Sequence, residues 1–267
     1  MEHVNDPTPV PPRVPPTGGA DRPDPDEVVR SPLWSRWQEP PVSALTTRQV
    51  EMRRLADSMR IIMERLVGTA APTEEIVEAA DRLSKVALVF EQLQSSGTIY
   101  EGFNEATLAG GDPHASFEHS PFIGLANPLS PPIRLREEDG KVRGTVVFGS
   151  AYEGPPGCVH GGYIAGAFDE VLGATQTLSG NPGMTGTLTV KYRSPTPLHT
   201  ELDFVSELQR VEGRKIYTHA ELFAGERLCA EADGLFISME PGRFQALKSL
   251  RDAAENARLG AAEEAGA

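Results

Sequence analysis

From residue 44 to about 68 the apolar side chains Leu45, Met52, Leu55, Met59, Ile62, Met63 and Leu66 recur three and four positions apart, one face of an amphipathic helix. Gly68 and Pro72 end it. Thr73 reads as an N-cap, with Glu74 and Glu75 in a first turn where their charge suits the helix dipole. Ile76, Leu83, Val86, Phe90 and Leu93 form a second apolar face, which Gly97 stops. Residues 44–97 are therefore expected to form a helical hairpin that packs on the main domain or across an oligomer. From 98 to 132 periodicity is lost among Gly, Pro and Asn. A loop this long within a compact domain commonly covers a site.

After Pro132 the period changes to two. IRLREEDGKVRGTVVFG predicts two strands around an Asp139-Gly140 turn. HGGYIAGAFDEVLG, residues 160–173, is apolar around most of a helical circumference and has to be buried. Four strand-like runs follow, 184–194, 199–211, 214–224 and 227–240, with Gly213 and Gly225 at turns. A strand pair, one long buried helix and then a run of antiparallel strands is an α+β layer architecture: an antiparallel sheet wrapped around one long central helix, the hot-dog arrangement. The chain divides into a tail (1–43), the helical extension (44–97), the main domain (98–240, including its covering loop) and a polar C-terminal tail (241–267).

Composition adds exclusions. The formal net charge of −13 argues against nucleic acid and anionic membrane surfaces as partners. Eleven of the 23 prolines lie in the first 41 residues, a composition that builds neither ladder nor core. Trp34 and Trp37 sit near the end of that tail and would dock it onto the folded part or, second choice, onto a partner. Cys158 and Cys229, the only cysteines, fit a reducing compartment and supply no disulfide framework or metal cluster. There is no secretory leader pattern and no run long enough to span a membrane. These features point to the cytoplasm.

The chemistry concentrates in the central helix. Amides at a helix start are unsatisfied donors with positive partial charge, suited to a developing oxyanion. Gly161 and Gly162 place such amides behind His160, while Asp169 and Glu170 put carboxylates on the same helix. Gly161 and Asp169 are eight residues apart, about 12 Å along the axis. A base and an oxyanion donor serving one carbonyl each lie about 3 Å from it. One helix cannot provide both. In a two-fold dimer with the helices side by side, Gly161 of one chain meets Asp169 of the other, giving two shared sites.

HGGYIAGAFDEVLG resembles the signature of PaaI-like acyl-coenzyme A thioesterases of the hot-dog superfamily, in which the catalytic carboxylate follows nine residues after the His. Three further segments extend the resemblance over residues 120–240. MTGTLTVKYRSPTPL resembles the family's strand after the helix. VEGRK (211–215) resembles the coenzyme A-contacting turn of thioesterases of the carboxyl-terminal-modulator-protein type. AEADGLFI resembles the last strand. The resemblance implies a homodimer or homotetramer that hydrolyses acyl-CoA without a metal or other cofactor, coenzyme A being part of the substrate. It implies Asp169 as general base or nucleophile and Gly161 as carbonyl-polarising amide, with Gly162 second. His160 would position the thioester or the loop, and Thr185 would hold water and carboxylate. Lys191, Arg193, Gly213, Arg214 and Lys215 would meet coenzyme A. Two other readings stand beside it. One is a non-catalytic acyl-CoA-binding or regulatory protein, motivated by the N-terminal hundred residues. The other is an enoyl-CoA hydratase, since GDPH (111–114) resembles the Gly-Asp…His of hydratases with this fold; a turn on Gly111 and Asp112 explains the same four residues.

Overall fold

The structure, a computed structural model, describes residues 45–92, 118–181 and 183–239, with scattered helical positions between Ala246 and Ala257. The Pro-rich tail, Trp34, Trp37, Gly97, the GDPH stretch and most of the C-terminal tail lie outside the described residues.

Two helices come first, α1 (Thr47–Leu66) and α2 (Thr73–Gln92). Thr46 caps α1 through a capping box with Gln49, its hydroxyl accepting from the Gln49 N–H and the Gln49 side chain accepting from the Thr46 N–H. Thr73 is the first helical residue of α2 rather than its cap. The two helices are not packed along one another, and no residue of α2 is buried. α1 instead turns toward the main domain, burying Ala56 and pairing Arg53 with Glu118. Arg60 donates to the carbonyls of Asn127 (2.7 Å) and Leu125 (2.9 Å).

The main domain is one six-stranded antiparallel sheet: β1 (Arg134–Glu138), β2 (Lys141–Val147), β3 (Gly183–Tyr192), β4 (Glu201–Glu212), β5 (Lys215–Ala224) and β6 (Arg227–Ser238), in the order β1-β2-β4-β5-β6-β3. The β1–β2 turn has Asp139 and Gly140 both at positive φ, 55° and 72°, the two-residue geometry that an Asp-Gly pair favours. The central helix α3 (Gly161–Gln176) crosses the inner face. Its buried side, Ile164, Ala167, Phe168, Val171 and Leu172, meets inward residues such as Phe204, Ile216, Leu222 and Phe236, which alternate with outward ones along each strand. Phe168 packs edge-on against Phe204 at 5.2 Å.

One polar bridge pins the far end of α3 to the sheet. The buried Thr175 hydroxyl lies 2.7 Å from Ser206 Oγ, which itself donates to the His219 carbonyl at 2.9 Å. Ser206→Ala removes both contacts in a dry site, and a loss of about 1–2 kcal/mol in unfolding free energy is expected in a urea titration.

β1 and β3 are the sheet edges. β1 is short and charged, RLREE, as protected edges are. β3 has ten residues, mostly exposed, and pairs on one side only, with β6. It is the edge left open for another strand.

Candidate active site

His160 is the N-cap of α3, and its Nδ1 accepts the Gly162 N–H at 3.0 Å. That bond divides the two glycines. Gly162 spends its amide on the cap, whereas the Gly161 N–H has no hydrogen-bond partner among the described residues. Behind it, Tyr192 of β3 donates its hydroxyl to the Gly161 carbonyl at 2.8 Å, fixing the first turn from the other side. A Cβ on Gly161 would stand 3.2 Å from that hydroxyl, so the bare glycine permits this approach.

Asp169 is exposed, and Thr185 Oγ1 donates to its Oδ1 at 2.8 Å. The strand register helps to aim this threonine. Between Thr185 and Thr187 the β3–β6 pairing shifts by one residue, a bulge at Gly186, and bulges re-aim neighbouring side chains. One of the two acids of this otherwise buried helix thus faces outward, on the strip of α3 that carries Gly162, Ala165, Asp169 and Gly173, all exposed or half-buried. The more enclosed of the two is Glu170, half-buried with its carboxyl against Ser120. Burial pushes it up to about 7; its hydrogen bond from Ser120 (2.8 Å) opposes the rise, and the Asp169 charge adds to it. Neither acid pairs with an arginine among the described residues.

The basic residues fall into two groups at opposite ends of β3. Lys191 and Arg193 lie at the Gly161 end, where they are already paired. Lys191 Nζ is 3.3 Å from both Glu231 and Asp233, and Arg193 is 2.7 Å from Glu231. Hydrogen bonds to Asp233 and Glu231 hold Lys191 above its ordinary range. The sequence offers these two as free cations for phosphate, and the structure gives them carboxylate partners. Arg214 and Lys215 lie at the Thr185 end, because Lys215 pairs with Ile237 and Ile237 with Met184. The turn before them uses Gly213 at φ 57°, and Arg214 donates to the Ser238 carbonyl at 3.1 Å.

Sequence reasoning did not find Ser120 as the partner of Glu170, nor Tyr192 and Glu231 as neighbours of expected site residues. Only the alternation along β3 hinted that Tyr192 and Lys191 face opposite ways. Among the described residues no group of three or more His, Cys, Asp or Glu side chains is placed to hold a metal ion, and no helix is long and apolar enough to cross a membrane.

A single helix capped by a His-Gly-Gly entrance and wrapped by a six-stranded antiparallel sheet defines a hot-dog domain. The thioesterase superfamily model matches residues 156–231, from the helix entrance into β6. A crystal structure of a thioesterase superfamily protein is 32% identical, with a TM-score of 0.63, covering 75% of this chain and 98% of its own. The chain belongs to the thioesterase superfamily. Among curated relatives, acyl-coenzyme A thioesterase THEM4 of Xenopus laevis is 38% identical over 95 residues, 35% of this chain and 43% of that protein. The Mus musculus protein of the same name is 37% identical over 91 residues, 33% of this chain and 39% of its own length. The chain thus spans less than half the length of these two relatives.

Proposed function

We propose that this protein hydrolyses acyl-CoA thioesters to a free acid and coenzyme A, at sites built by two copies of the chain. The observation that carries this reading is the division of labour on α3. One helix end offers an open amide at Gly161, and eight residues on, the same helix offers an exposed carboxylate held by Thr185. Two copies related by a two-fold axis, with β3 edges paired and α3 helices antiparallel, bring the amide of one to the carboxylate of the other. The relatives named acyl-coenzyme A thioesterase support the substrate class.

In this arrangement Asp169 is the general base. Thr185 occupies Oδ1, which leaves Oδ2 to take a proton from water as that water attacks the thioester carbonyl. The Gly161 N–H of the second copy stabilises the tetrahedral oxyanion, and its helix dipole adds to the effect. Collapse expels the coenzyme A thiolate, a good leaving group. His160 shapes the helix entrance through its cap, so its role is positional.

The two basic groups then acquire a common purpose. Antiparallel β3 pairing brings the Lys191 end of one copy beside the Thr185 end of the other, so Arg214 and Lys215 border the same site as the partner's Lys191 and the partner's Arg193. Phosphates of coenzyme A would compete with Glu231 and Asp233 for the second group. The free thiols of Cys158 and Cys229 fit a reducing compartment such as the cytoplasm.

The test is release of free thiol and acid from a panel of acyl-CoAs by the full chain. Turnover on at least one chain length is expected. Saturable acyl-CoA binding with no turnover on any would replace this reading with the non-catalytic one. The GDPH stretch on which a hydratase reading rests lies outside the described residues.

A further inference from the structure

Given the acyl-CoA reading above, on which this inference rests, the two flanks of α3 point the two arms of the substrate in opposite directions. At about 100° per residue, Gly161 lies about 80° to one side of Asp169, while Gly166 and Glu170 lie about 60° and 100° to the other. β3 occupies the first flank, through Tyr192 on Gly161, and the expected coenzyme A contacts lie at its two ends: Lys191 and Arg193 at its close, and Gly213, Arg214 and Lys215 at the β4–β5 turn beside its start. A thioester carbonyl carries its sulfur and its acyl chain on opposite sides. With coenzyme A on the β3 flank, the acyl chain leaves over the other.

That second flank is covered by residues 118–126. Ser120 binds Glu170, and the Phe122 ring lies on Gly166, so close that a Cβ there would stand 2.1 Å from Phe122 Cζ. Gly166 is three residues before Asp169, about 4.5 Å along the axis. The ring is half-buried and packs against the core cluster. Its segment is a fixed wall. The Phe122 carbonyl accepts from Ile133 N–H and the Glu118 carbonyl from Ala126 N–H, both at 2.9 Å. From behind, α1 braces it through Arg53 on Glu118 and Arg60 on the carbonyls of Leu125 and Asn127. Bracing this wall also gives the helical extension a task.

We propose that Phe122 closes the acyl end of the site and sets the longest chain the enzyme accepts. The test is the ratio of kcat/KM for long to short straight-chain acyl-CoAs, measured on the full chain as wild type, Phe122→Ala and Phe122→Trp. Removing the ring frees room for roughly three or four methylenes, each worth about fourfold when buried. The long-to-short ratio should therefore rise at least tenfold in Phe122→Ala and fall in Phe122→Trp. A ratio unchanged within twofold in both variants overturns the proposal, whether or not absolute rates drop, because a purely structural role would scale all chain lengths together. Wild-type protein inactive on every acyl-CoA would instead defeat the thioesterase reading, and this inference with it.

Discussion

Asp169→Asn is expected to lower kcat for acyl-CoA hydrolysis by about 10²–10⁴-fold, the usual worth of a positioned general base. The substitution is close to isosteric, and the amide oxygen still accepts from Thr185 Oγ1, now at 2.8 Å. Asp169 is exposed within the chain and forms no ion pair among the described residues, so thermal stability should move by no more than about 0.5 kcal/mol. KM should change little, because the lost interaction belongs to the transition state. Steady-state kinetics on one good substrate, with a melting curve alongside, separates these effects. Wild-type kcat in this variant would remove Asp169 from the mechanism. Equal losses of kcat and stability would make it structural.

Glu170→Gln should stabilise the protein, and increasingly so as pH rises. Burial raises the folded Glu170 carboxyl to about 7 from its ordinary 4.5. Between those values the native state holds a proton that the unfolded state has released, so stability falls as pH rises. Protonated Glu170 contributes its full share below about pH 4.5, and that share is gone above about pH 7. The whole effect is on the order of 3 kcal/mol. Glutamine stays neutral throughout and keeps an oxygen for the Ser120 hydroxyl. Its advantage over wild type should grow by about 2 kcal/mol between pH 5.5 and pH 8.5, read from urea unfolding at the two values. A constant difference would mean that the native state carries Glu170 ionised across this range.

Much of the fold was legible because periods of two and 3.6 are strong signals where one face is buried. The Asp139-Gly140 hairpin, the central helix and the four later strands each lie within a few residues of their expected places. The edge and centre of the sheet were not legible: nothing local to MTGTLTVKY says that β3 pairs only with β6. The extension shows the same limit. Helical spacing predicts α1 and α2, but α1 is drawn to residues 118–127 by Arg53 and Arg60, contacts across more than sixty positions. At the site, the eight-residue separation of Gly161 and Asp169 along one helix was legible, since it depends only on helix rise. Which acid is buried could not be read from adjacent letters. Ser120, fifty residues upstream, occupies the Glu170 side, and Thr185 of β3 the Asp169 side. The choice between the two glycines likewise needed the His160 ring, whose rotamer commits Gly162 and leaves Gly161 open.

The sharing of each site between two chains is tested most directly by mixing two crippled proteins. Gly161→Pro removes the open N–H at the first position of α3, where proline fits helical geometry and the preceding His160 is already extended; the Tyr192 hydroxyl, 3.2 Å from the added Cβ, has only to give by a few tenths of an ångström. It should lose about 10²–10³-fold in kcat. Asp169→Asn lacks the base. In a mixed dimer one site receives both lesions, and the other receives the intact amide of one chain and the intact carboxylate of the other. After dissociation and random reassociation of equal amounts, activity should recover to about a quarter of wild type, half the dimers being mixed and half their sites whole. Recovery no greater than the sum of the two separate proteins, with mixed dimers confirmed by native mass, would contradict a site shared between chains.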